Sequence, residues 1–505
     1  MTQRRTLHIH PDDNVVIALE NAAPGDTIVG IFSTVQQPIA MGHKLALHDI
    51  AAGSPVRRYG QVIGRATQDI PAGSHVHVHN VAAESEQADA ALIGVDARPT
   101  VYAAQQATFQ GYRRSNGGVG TRNSIGIIST VNCSATAARA IADHFRNGLT
   151  DRWPNVDRVV ALTHSSGCAI DPNGMGMRVL RRTLAGYARH PNFHSVILLG
   201  LGCEMNTMEG LLEQESLVPG EHLHIGSIQS LGGTRKAVDW GIDLVEQLLS
   251  RADRCRRETV SAAHLTVGTQ CGGSDALSGV SANPVLGRAM DLLVAHGGSA
   301  VLSETVEVHG ADQLLLRRCA TPEVGLRLLR QLDDWRNLMK KTLGQVINVA
   351  PGNVQGGLTT SPEKSLGSFA KGGTTNVVAA IDYAEPATSR GLVYMDSPAF
   401  DPASVTGQLA AGCNLICFTT GRGSAFGSTP APTVKVASNS PLYERQRDDM
   451  DFNAGTVLTG EENLETAGQR LFEQLLLTAS GQRTCSEQWG YGEQEFTPWI
   501  PDPVL

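Results

Sequence analysis

Short alternating segments dominate the first part of the chain. Polar and apolar residues alternate in TLHIH, NVVIAL, DTIVGIF, KLALHDI, PVRRYGQVIG and HVHVHN, with PGD, AAG and PAG between some of them. A period of two is typical of strands with one buried face, and Gly and Pro mark the turns. The pattern predicts a small β-rich domain over residues 1–82, of barrel or sandwich type. Residues 83–108 have little periodicity and predict a linker.

From residue 109 onwards, continuous apolar segments alternate with helical ones. SIGIISTV precedes ATAARAIADHF, RVVALTH precedes MRVLRRTLAGYA, and SVILLGLG precedes AVDWGIDLVEQLLS. Apolar strands that alternate with amphipathic helices are typical of parallel sheets covered by helices. The charged stretch RADRCRRETVSAA interrupts this pattern. We therefore predict an α/β multidomain protein whose two α/β domains, residues 109–252 and 253–505, contain mainly parallel sheets.

The composition narrows the classes of function. At roughly 100–200 residues per domain, 505 residues fit two to four domains. A formal net charge of −8 argues against a nucleic-acid partner. Because no segment reaches about 18 consecutive apolar residues, we also expect no membrane partner. The start, MTQRRTLHIHPDDN, has no apolar run, and the nine cysteines form no CxxC pair, so we expect a cytoplasmic protein with reduced thiols.

Three histidines alternate with valines in the segment HVHVHN. If the segment is a strand, the imidazoles of His75, His77 and His79 lie on one face. Imidazoles at every second position can share one Zn, Fe, Mn or Cu ion, and Glu84 would add a carboxylate ligand. The alternative is a solvated strand face that carries polar residues and has no chemical role.

Four apolar segments run into a cysteine. SIGIISTVN precedes Cys133, VVALTHSSG precedes Cys168, SVILLGLG precedes Cys203, and HLTVGTQ precedes Cys271. Ligands of open α/β sheets bind at the carboxyl ends of the strands, where these thiols are expected. They are candidate iron ligands, nucleophiles or pocket-lining groups. The alternative is that each is a small buried residue at a strand–helix corner.

Of six Gly-rich loops, five contain Ser or Thr and five contain a cation: GTRNS, GGTRK, QCGGSD, SPEKSLG, AKGG and TTGRGS. Close backbone approach and cationic side chains are suited to a polyhydroxylated carboxylate ligand. The sequence contains neither a P-loop motif nor GxGxxG after a strand, so we expect no nucleotide cofactor. The candidate substrate-binding residues in these loops are Arg122, Asn123, Ser274, Asp275, Lys364 and Arg422.

Longer motifs give the chain a family resemblance from about residue 8 to residue 490. DNVVIAL, GHKLALHDI, RRYGQVIGRATQDI and HVHVHN resemble the SAF-type domain that opens altronate and galactarate dehydratases. GYRRSNGGVGTRN, STVNCSAT, LTHSSGC and GLGCEMN resemble the second domain of that family. QCGGSDALSGVSANP, SETVEVHGADQLL, APGNVQGGLTTSPEKSLG, TTGRGS and DMDFNAG resemble its C-terminal domain.

The resemblance implies a hydro-lyase that dehydrates a sugar acid and uses a divalent metal, Fe²⁺ or Mn²⁺. Such a reaction needs a Lewis acid, a base and an acid. We expect His77 and His79 to bind the metal or transfer protons. The other catalytic candidates are His164 and Glu304, with Glu204 as a further oxygen ligand. Cys133, Cys168, Cys203 and Cys271 are the remaining metal-ligand candidates.

Substrate choice stays open at the level of sequence. VHVHN is similar to the altronate branch, whereas SETVEV and the segment from GEENLETAGQRLFEQLL to SEQWG are similar to the galactarate branch. This mixture indicates a separate subgroup, whose substrate is altronate, galactarate or a different hexonate or aldarate. The alternatives are a lyase for another hydroxy acid, such as sulfolactate, and a sugar-acid-binding protein without turnover. A homo-oligomer, in the simplest case a dimer, is the expected assembly.

Overall fold

The N-terminal part of the chain forms short strands, as the alternating pattern predicts. The computed structural model describes residues 2–28, 33–84, 89–344 and 348–501. The last residues of the predicted strand segment DTIVGIF, 29–32, lie outside these ranges, as do 85–88 of the predicted linker. The strands are β1 (Gln3–Arg4), β2 (Thr6–Leu7), β3 (Val15–Ala18), β4 (Thr27–Ile28), β5 (Lys44–Ala46), β6 (Pro55–Arg58), β7 (Gln61–Ala66), β8 (His75–Val76) and β9 (Val81–Ala82).

Two antiparallel sheets make up most of this N-terminal module. One has the order β2-β3-β5-β8 and the other β6-β7-β9, while β1 and β4 pair in parallel. Val15, Val56, Ile63 and Val76 of the two sheets share one core. The segment HVHVHN departs from the prediction, because β8 ends at Val76 and the following residues form a turn. The idea of one continuous histidine-bearing strand is therefore wrong.

A parallel sheet forms the second domain. Its order is β13-β12-β14-β15, and every pair in it is parallel. β12, SIGIIS, is buried at all six positions, as expected of a central strand covered on both faces. The elements are β10 (Thr108–Arg113), β11 (Val119–Gly120), β12 (Ser124–Ser129), α1 (Ala135–His144), α2 (Leu149–Arg152), β13 (Val159–Leu162), α3 (Met175–Ala188), β14 (Phe193–Gly200), α4 (Met208–Gln214), β15 (Leu223–Ser227), α5 (Thr234–Ala252) and β16 (Glu258–Ser261).

The chain enters and leaves this domain through one ribbon. β10 and β16 pair antiparallel, with Phe109 opposite Val260. Both side chains lie in the core of the C-terminal domain rather than in that of the second domain. The second domain is therefore inserted between two neighbouring strands of a larger unit. The domain boundaries given above remain predictions.

A seven-stranded parallel sheet forms the C-terminal domain, in the order β19-β20-β18-β17-β21-β22-β23. The predicted α/β fold class with mainly parallel sheets is confirmed. The elements are β17 (Thr266–Cys271), α6 (Ala282–Ala295), β18 (Ser299–Leu302), α7 (Asp312–Leu316), α8 (Pro322–Leu343), α9 (Pro351–Gln355), α10 (Ser361–Phe369), β19 (Val377–Ile381), β20 (Gly391–Met395), α11 (Asp401–Ala410), β21 (Leu415–Thr420), β22 (Thr433–Ala437), α12 (Ser440–Arg445), β23 (Phe452–Asn453), α13 (Thr456–Thr459), α14 (Leu464–Ala479) and α15 (Cys485–Trp489).

Local sequence explains the start of α10, the helix that positions much of the site. The hydroxyl of Thr360 accepts a hydrogen bond from the N–H of Glu363 and so caps the first turn. Pro362 follows within that turn, where its missing N–H costs nothing. None of the helices in the described ranges is both long and apolar enough to cross a membrane.

The N-terminal module packs against the C-terminal domain. Ile17 contacts Leu277 and Val280, and Leu366 of α10 completes the core of the module. Burial of large aliphatic side chains stabilises such a contact by about 1.5–3 kcal/mol for each side chain. The packing places β5 and β8 of the module over the segment that joins α9 to α10.

Candidate active site between the first and last domains

Three imidazoles meet at the edge of the module. His43 directly precedes β5, and β5 pairs antiparallel with β8, so that Leu45 lies opposite His75. Nδ1 of His43 lies 2.9 Å from Nε2 of His75. The ligand atoms of His43, His75 and His77 all lie within 4.8 Å of one another. This spacing is short enough for the three side chains to share one metal ion.

The three histidines are held in their neutral form. Desolvation and the charges of neighbouring groups lower the pKa of His75 to about 3 and that of His77 to about 4. Desolvation also lowers the pKa of His43. Neutral imidazole is the form that binds metals, because it keeps a nitrogen lone pair. The two nitrogens of His43 and His75 that face each other can share either a proton or a metal ion.

The C-terminal domain orients two of these rings. Nδ1 of His77 lies 3.0 Å from the hydroxyl oxygen of Thr359, and Nε2 of His43 lies 3.2 Å from the carbonyl oxygen of Gln355. Metal-binding histidines typically use their second nitrogen for such a contact, which fixes the ring. The cluster thus depends on residues that are about 300 positions away in sequence.

His79 lies beside this cluster but outside it. Its ring centroid is 5.4 Å from that of His75, and the side chain is exposed to solvent. Glu84, the expected carboxylate partner, instead forms an exposed ion pair with Arg65, at 2.7 Å. The sequence therefore identified two of the three clustered histidines and missed His43. Only the cross-strand pairing of β5 with β8 brings His43 to the others.

A buried ion cluster joins the two domains behind the histidines. Nζ of Lys44 donates to both carboxylate oxygens of Glu363, at 2.8 and 3.0 Å, and Arg58 forms an ion pair with the same carboxylate. The side chains of all three residues are fully buried. Desolvation opposes ionisation of Glu363, but Lys44 and Arg58 outweigh it and lower its pKa to about 2. The carboxylate therefore stays charged and holds α10 against the module.

The loop after β17 forms another wall of the site, and its side chains form hydrogen bonds with neighbouring loops. Oδ1 of Asp275 accepts hydrogen bonds from the N–H and the hydroxyl of Ser278, both at 2.7 Å. Its other oxygen accepts from Ser438 and Asn439. The carbonyl of Ser274 accepts from the side chain of Asn353, at 2.9 Å. The predicted substrate residues Ser274 and Asp275 thus lock loops together.

Arg422 lies at the mouth of the site. Its side chain is exposed, and one guanidinium nitrogen lies 3.4 Å from the side-chain oxygen of Gln355. The backbone of Gln355 contacts His43, so a single residue separates the guanidinium from the histidine cluster. An exposed guanidinium at this position is suited to bind a carboxylate in bidentate geometry.

A second polar cluster is buried at the end of β17. Nζ of Lys371 lies 2.8 Å from the sulfur of Cys271 and 2.6 Å from a carboxylate oxygen of Glu304. Desolvation raises the pKa of Glu304 to about 8 and that of Cys271 to about 11. Cys271 is therefore a protonated thiol, and the structure does not bring it to the other three predicted cysteines. Glu304 adopts a left-handed backbone conformation, with φ of 70°.

Lys364 belongs to the same buried region. Its ammonium donates to Glu307 and to the carbonyl of Asn348, each at 2.6 Å. These contacts differ from the sequence-based expectation of a lysine that is available to a substrate carboxylate. Lys364 is buried because α10 is covered on nearly every side, with all of residues 362–368 buried.

Several other predicted residues have partners within the second domain. Both ring nitrogens of His164 are engaged, by the carbonyl of Ser129 and the N–H of Ser166. Glu204 accepts from the backbone N–H groups of Leu201 and Gly202. The side chain of Asn123 donates to the carbonyls of Asn155 and Ala252. These contacts fix loops and give no access to the histidine cluster.

Arg122 forms a buried ion pair with Glu487, at 2.6 and 2.7 Å. Breaking a buried ion pair costs about 3–5 kcal/mol. We expect Arg122→Met to lower the free energy of unfolding by about 3 kcal/mol, the low end of this range, because Glu487 keeps some contact with solvent. KM for the substrate should not change, because the guanidinium is held by Glu487 and backbone carbonyls. Urea unfolding and steady-state kinetics measure the two effects. A large rise in KM without loss of stability would restore the predicted substrate role.

Comparisons with known proteins agree with this domain order. Residues 4–84 match the altronate/galactarate dehydratase SAF domain, residues 111–253 match the D-galactarate dehydratase/altronate hydrolase second domain, and residues 262–504 match the D-galactarate/altronate dehydratase C-terminal domain. The predicted SAF-type N-terminal domain is thereby confirmed.

Full-length relatives show the same similarity. The chain is 35% identical to altronate dehydratase of Bacillus subtilis (strain 168), over 96% of this chain and 97% of the relative. It is 38% identical to galactarate dehydratase (L-threo-forming) of Escherichia coli (strain K12), over 99% and 97%. It is also 32% identical to (2R)-sulfolactate sulfo-lyase subunit beta of Chromohalobacter salexigens, over 77% and 97%.

Proposed function

Because the chain belongs to the D-galactarate/altronate dehydratase family, we propose that it removes water from a six-carbon sugar acid and releases a 2-keto-3-deoxy acid. The chain is a carbon–oxygen hydro-lyase of this type. One observation carries the more specific proposal. Three neutral imidazoles meet within 4.8 Å at a domain contact, next to a segment that also touches the exposed Arg422.

The donor set fits a divalent metal such as Fe²⁺ or Mn²⁺. His43, His75 and His77 would hold it, since imidazole nitrogen is a good ligand for both iron and manganese. Two of the rings have their second nitrogen fixed by Thr359 and Gln355, as is usual for metal ligands. When bound, the ion supplies Lewis-acid stabilisation of the substrate carboxylate.

The residues around the cluster support the remaining steps. Dehydration removes a proton from C2 and the hydroxyl from C3, and the resulting enol tautomerises to the 2-keto acid. Arg422 binds the carboxylate and sets the position of C2. His79, exposed beside His75, takes the C2 proton as the general base. Asp275 keeps the loops around the substrate in place through Ser278 and Ser438.

We expect Arg422→Gln to raise KM for the sugar acid by about 10-fold to 100-fold, the value of a charge-assisted hydrogen bond to a carboxylate. Stability should be unchanged, because the side chain is exposed. Arg447→Gln is the matched control, since Arg447 is exposed and pairs with Glu444. Equal KM values in the two variants would remove Arg422 from the binding site.

An anaerobic assay for 2-keto-acid release tests the function as a whole. Protein loaded with Fe²⁺ or Mn²⁺ is incubated with altronate, galactarate, glucarate, gluconate or sulfolactate. Turnover of one sugar acid, with loss of one water per keto acid formed, is the expected result. Sulfite release from sulfolactate, with no turnover of any sugar acid, would contradict the proposal.

A further inference from the structure

Three cysteines of the second domain follow three neighbouring parallel strands. Cys133 comes after β12, Cys168 after β13 and Cys203 after β14, and the sheet order is β13-β12-β14. The carboxyl ends of parallel strands lie at one edge of a sheet, so the three thiols share that edge. All three are free and exposed. The dehydratase mechanism proposed above uses none of them.

Backbone hydrogen bonds interlock the three loops. The N–H of Asn132 donates to Ser166, at 2.9 Å, which ties the first loop to the second. The N–H of Met205 donates to the carbonyl of Cys168, at 3.2 Å, which ties the third loop to the second. Asn206 then reaches back with its side chain to Thr130, at 3.0 Å. The positions of the three thiols are therefore fixed by the fold.

A glycine permits this close approach. Gly167 has a φ of +94°, and a Cβ at this position would lie 2.5 Å from the carbonyl oxygen of Thr130. Any other residue would push the loop that carries Cys168 away from the loop of Cys133. The thiols are in fact near each other. A side-chain hydrogen bond joins Cys133 and Cys168, and Cys203 lies close enough to interact electrostatically with Cys133.

We propose that Cys133, Cys168 and Cys203 bind a [4Fe–4S] cluster, with its fourth iron open to a non-cysteine ligand. Thiolate is the usual protein ligand of such clusters. The three thiols lie on interlocked loops at one edge of the sheet, a placement that suits a cluster bound by thiolates from separate loops. Each thiol loses its proton to solvent when it ligates iron.

A cavity adjoins this edge of the sheet. It has a volume of about 560 Å³ and is lined by Cys203, Glu204, Gly226, Ser227 and Ser230, among other residues. Its volume is in the range of small-molecule sites. The cavity gives an oxygen-donor ligand, such as water or a hydroxy acid, access to the fourth iron. The site differs from the histidine cluster in both domain and ligand type.

Anaerobic reconstitution tests the proposal with the full-length chain. Equal parts of ferrous and ferric iron with sulfide have the electron count of a [4Fe–4S]²⁺ cluster. The expected result is about four irons and four sulfides bound per chain beyond any iron held by histidine, with visible sulfide-to-iron absorption. A chain that binds no sulfide, that binds one isolated ion at the cysteines, or that forms a Cys133–Cys168 disulfide under these conditions overturns the proposal.

Variants separate this site from the histidine site. C133S, C168S and C203S should each lose the sulfide and the absorption, while circular dichroism shows that the exposed substitutions leave the fold intact. C255S is the matched control and should retain the cluster. H77N should retain the cluster as well. The test of the cluster therefore does not depend on whether the histidine site catalyses dehydration. Retention of the full cluster in all three cysteine variants would overturn the assignment.

Discussion

Replacing His77 with asparagine should reduce turnover by at least about 10³-fold. The substitution removes one of three clustered ring nitrogens and the contact with Thr359. The loss reflects weaker metal binding, because the variant lacks both a ligand nitrogen and the contact that orients it, and mutation of such an orienting contact alone typically costs about 10–100-fold. The measurement is kcat for keto-acid release together with metal content after dialysis.

His48→Asn is the control for this experiment. His48 is an exposed histidine of the same module, near His43 in sequence. The control should keep both its metal and its turnover, and both variants should unfold at the same urea concentration as the parent chain. Full activity of H77N would remove the histidine cluster from the mechanism.

Replacing Glu363 with glutamine should lower the free energy of unfolding by about 5 kcal/mol. The change leaves Lys44 and Arg58 fully buried without their shared carboxylate, and breaking a buried ion pair costs about 3–5 kcal/mol. The upper end of this range applies because both cations, Lys44 and Arg58, lose the carboxylate that they share. Urea unfolding at neutral pH measures the effect. Glu465→Gln is the control, because its ion pair with Arg288 is exposed and worth about 0–1 kcal/mol.

The same comparison has a defined pH dependence. The pKa of Glu363 is lowered from 4.5 to about 2 in the folded chain, so its contribution is present above pH 4.5 and is lost as the pH falls towards 2. The difference in stability between the parent chain and E363Q should therefore be constant near neutral pH and shrink below pH 4.5. A difference that grows in acid would contradict a charged Glu363.

The fold was largely accessible from the sequence, because its signals are local. SIGIIS contains no charged residue and becomes a central parallel strand, and the alternating segments become the strands of the module. HVHVHN misled in one respect. Its alternation continues past Val76, but the chain turns there, and the side chain of Asn80 bonds the backbone of His75 and His77. Side chain-to-backbone bonds of this kind compete with strand pairing.

The site was less accessible, because its contacts are remote in sequence. His43 has no periodic signal of its own and joins the cluster through pairing of β5 with β8. Arg122 and Lys364 lie in loops and helices that are suited to anions, but Glu487 and Glu307 neutralise them. No local pattern distinguishes a cation that meets a substrate from one that meets a distant carboxylate.

The cluster of Lys44, Arg58 and Glu363 also has a consequence for biosynthesis. Lys44 and Glu363 are 319 positions apart, and a ribosome adds about 5–20 residues per second, so the module waits roughly 15–60 s for its anionic partner. During that interval two cations lack the carboxylate that permits their burial. The nascent module therefore reaches its final packing only when α10 leaves the ribosome, and chains truncated before residue 363 should be preferred substrates for proteases.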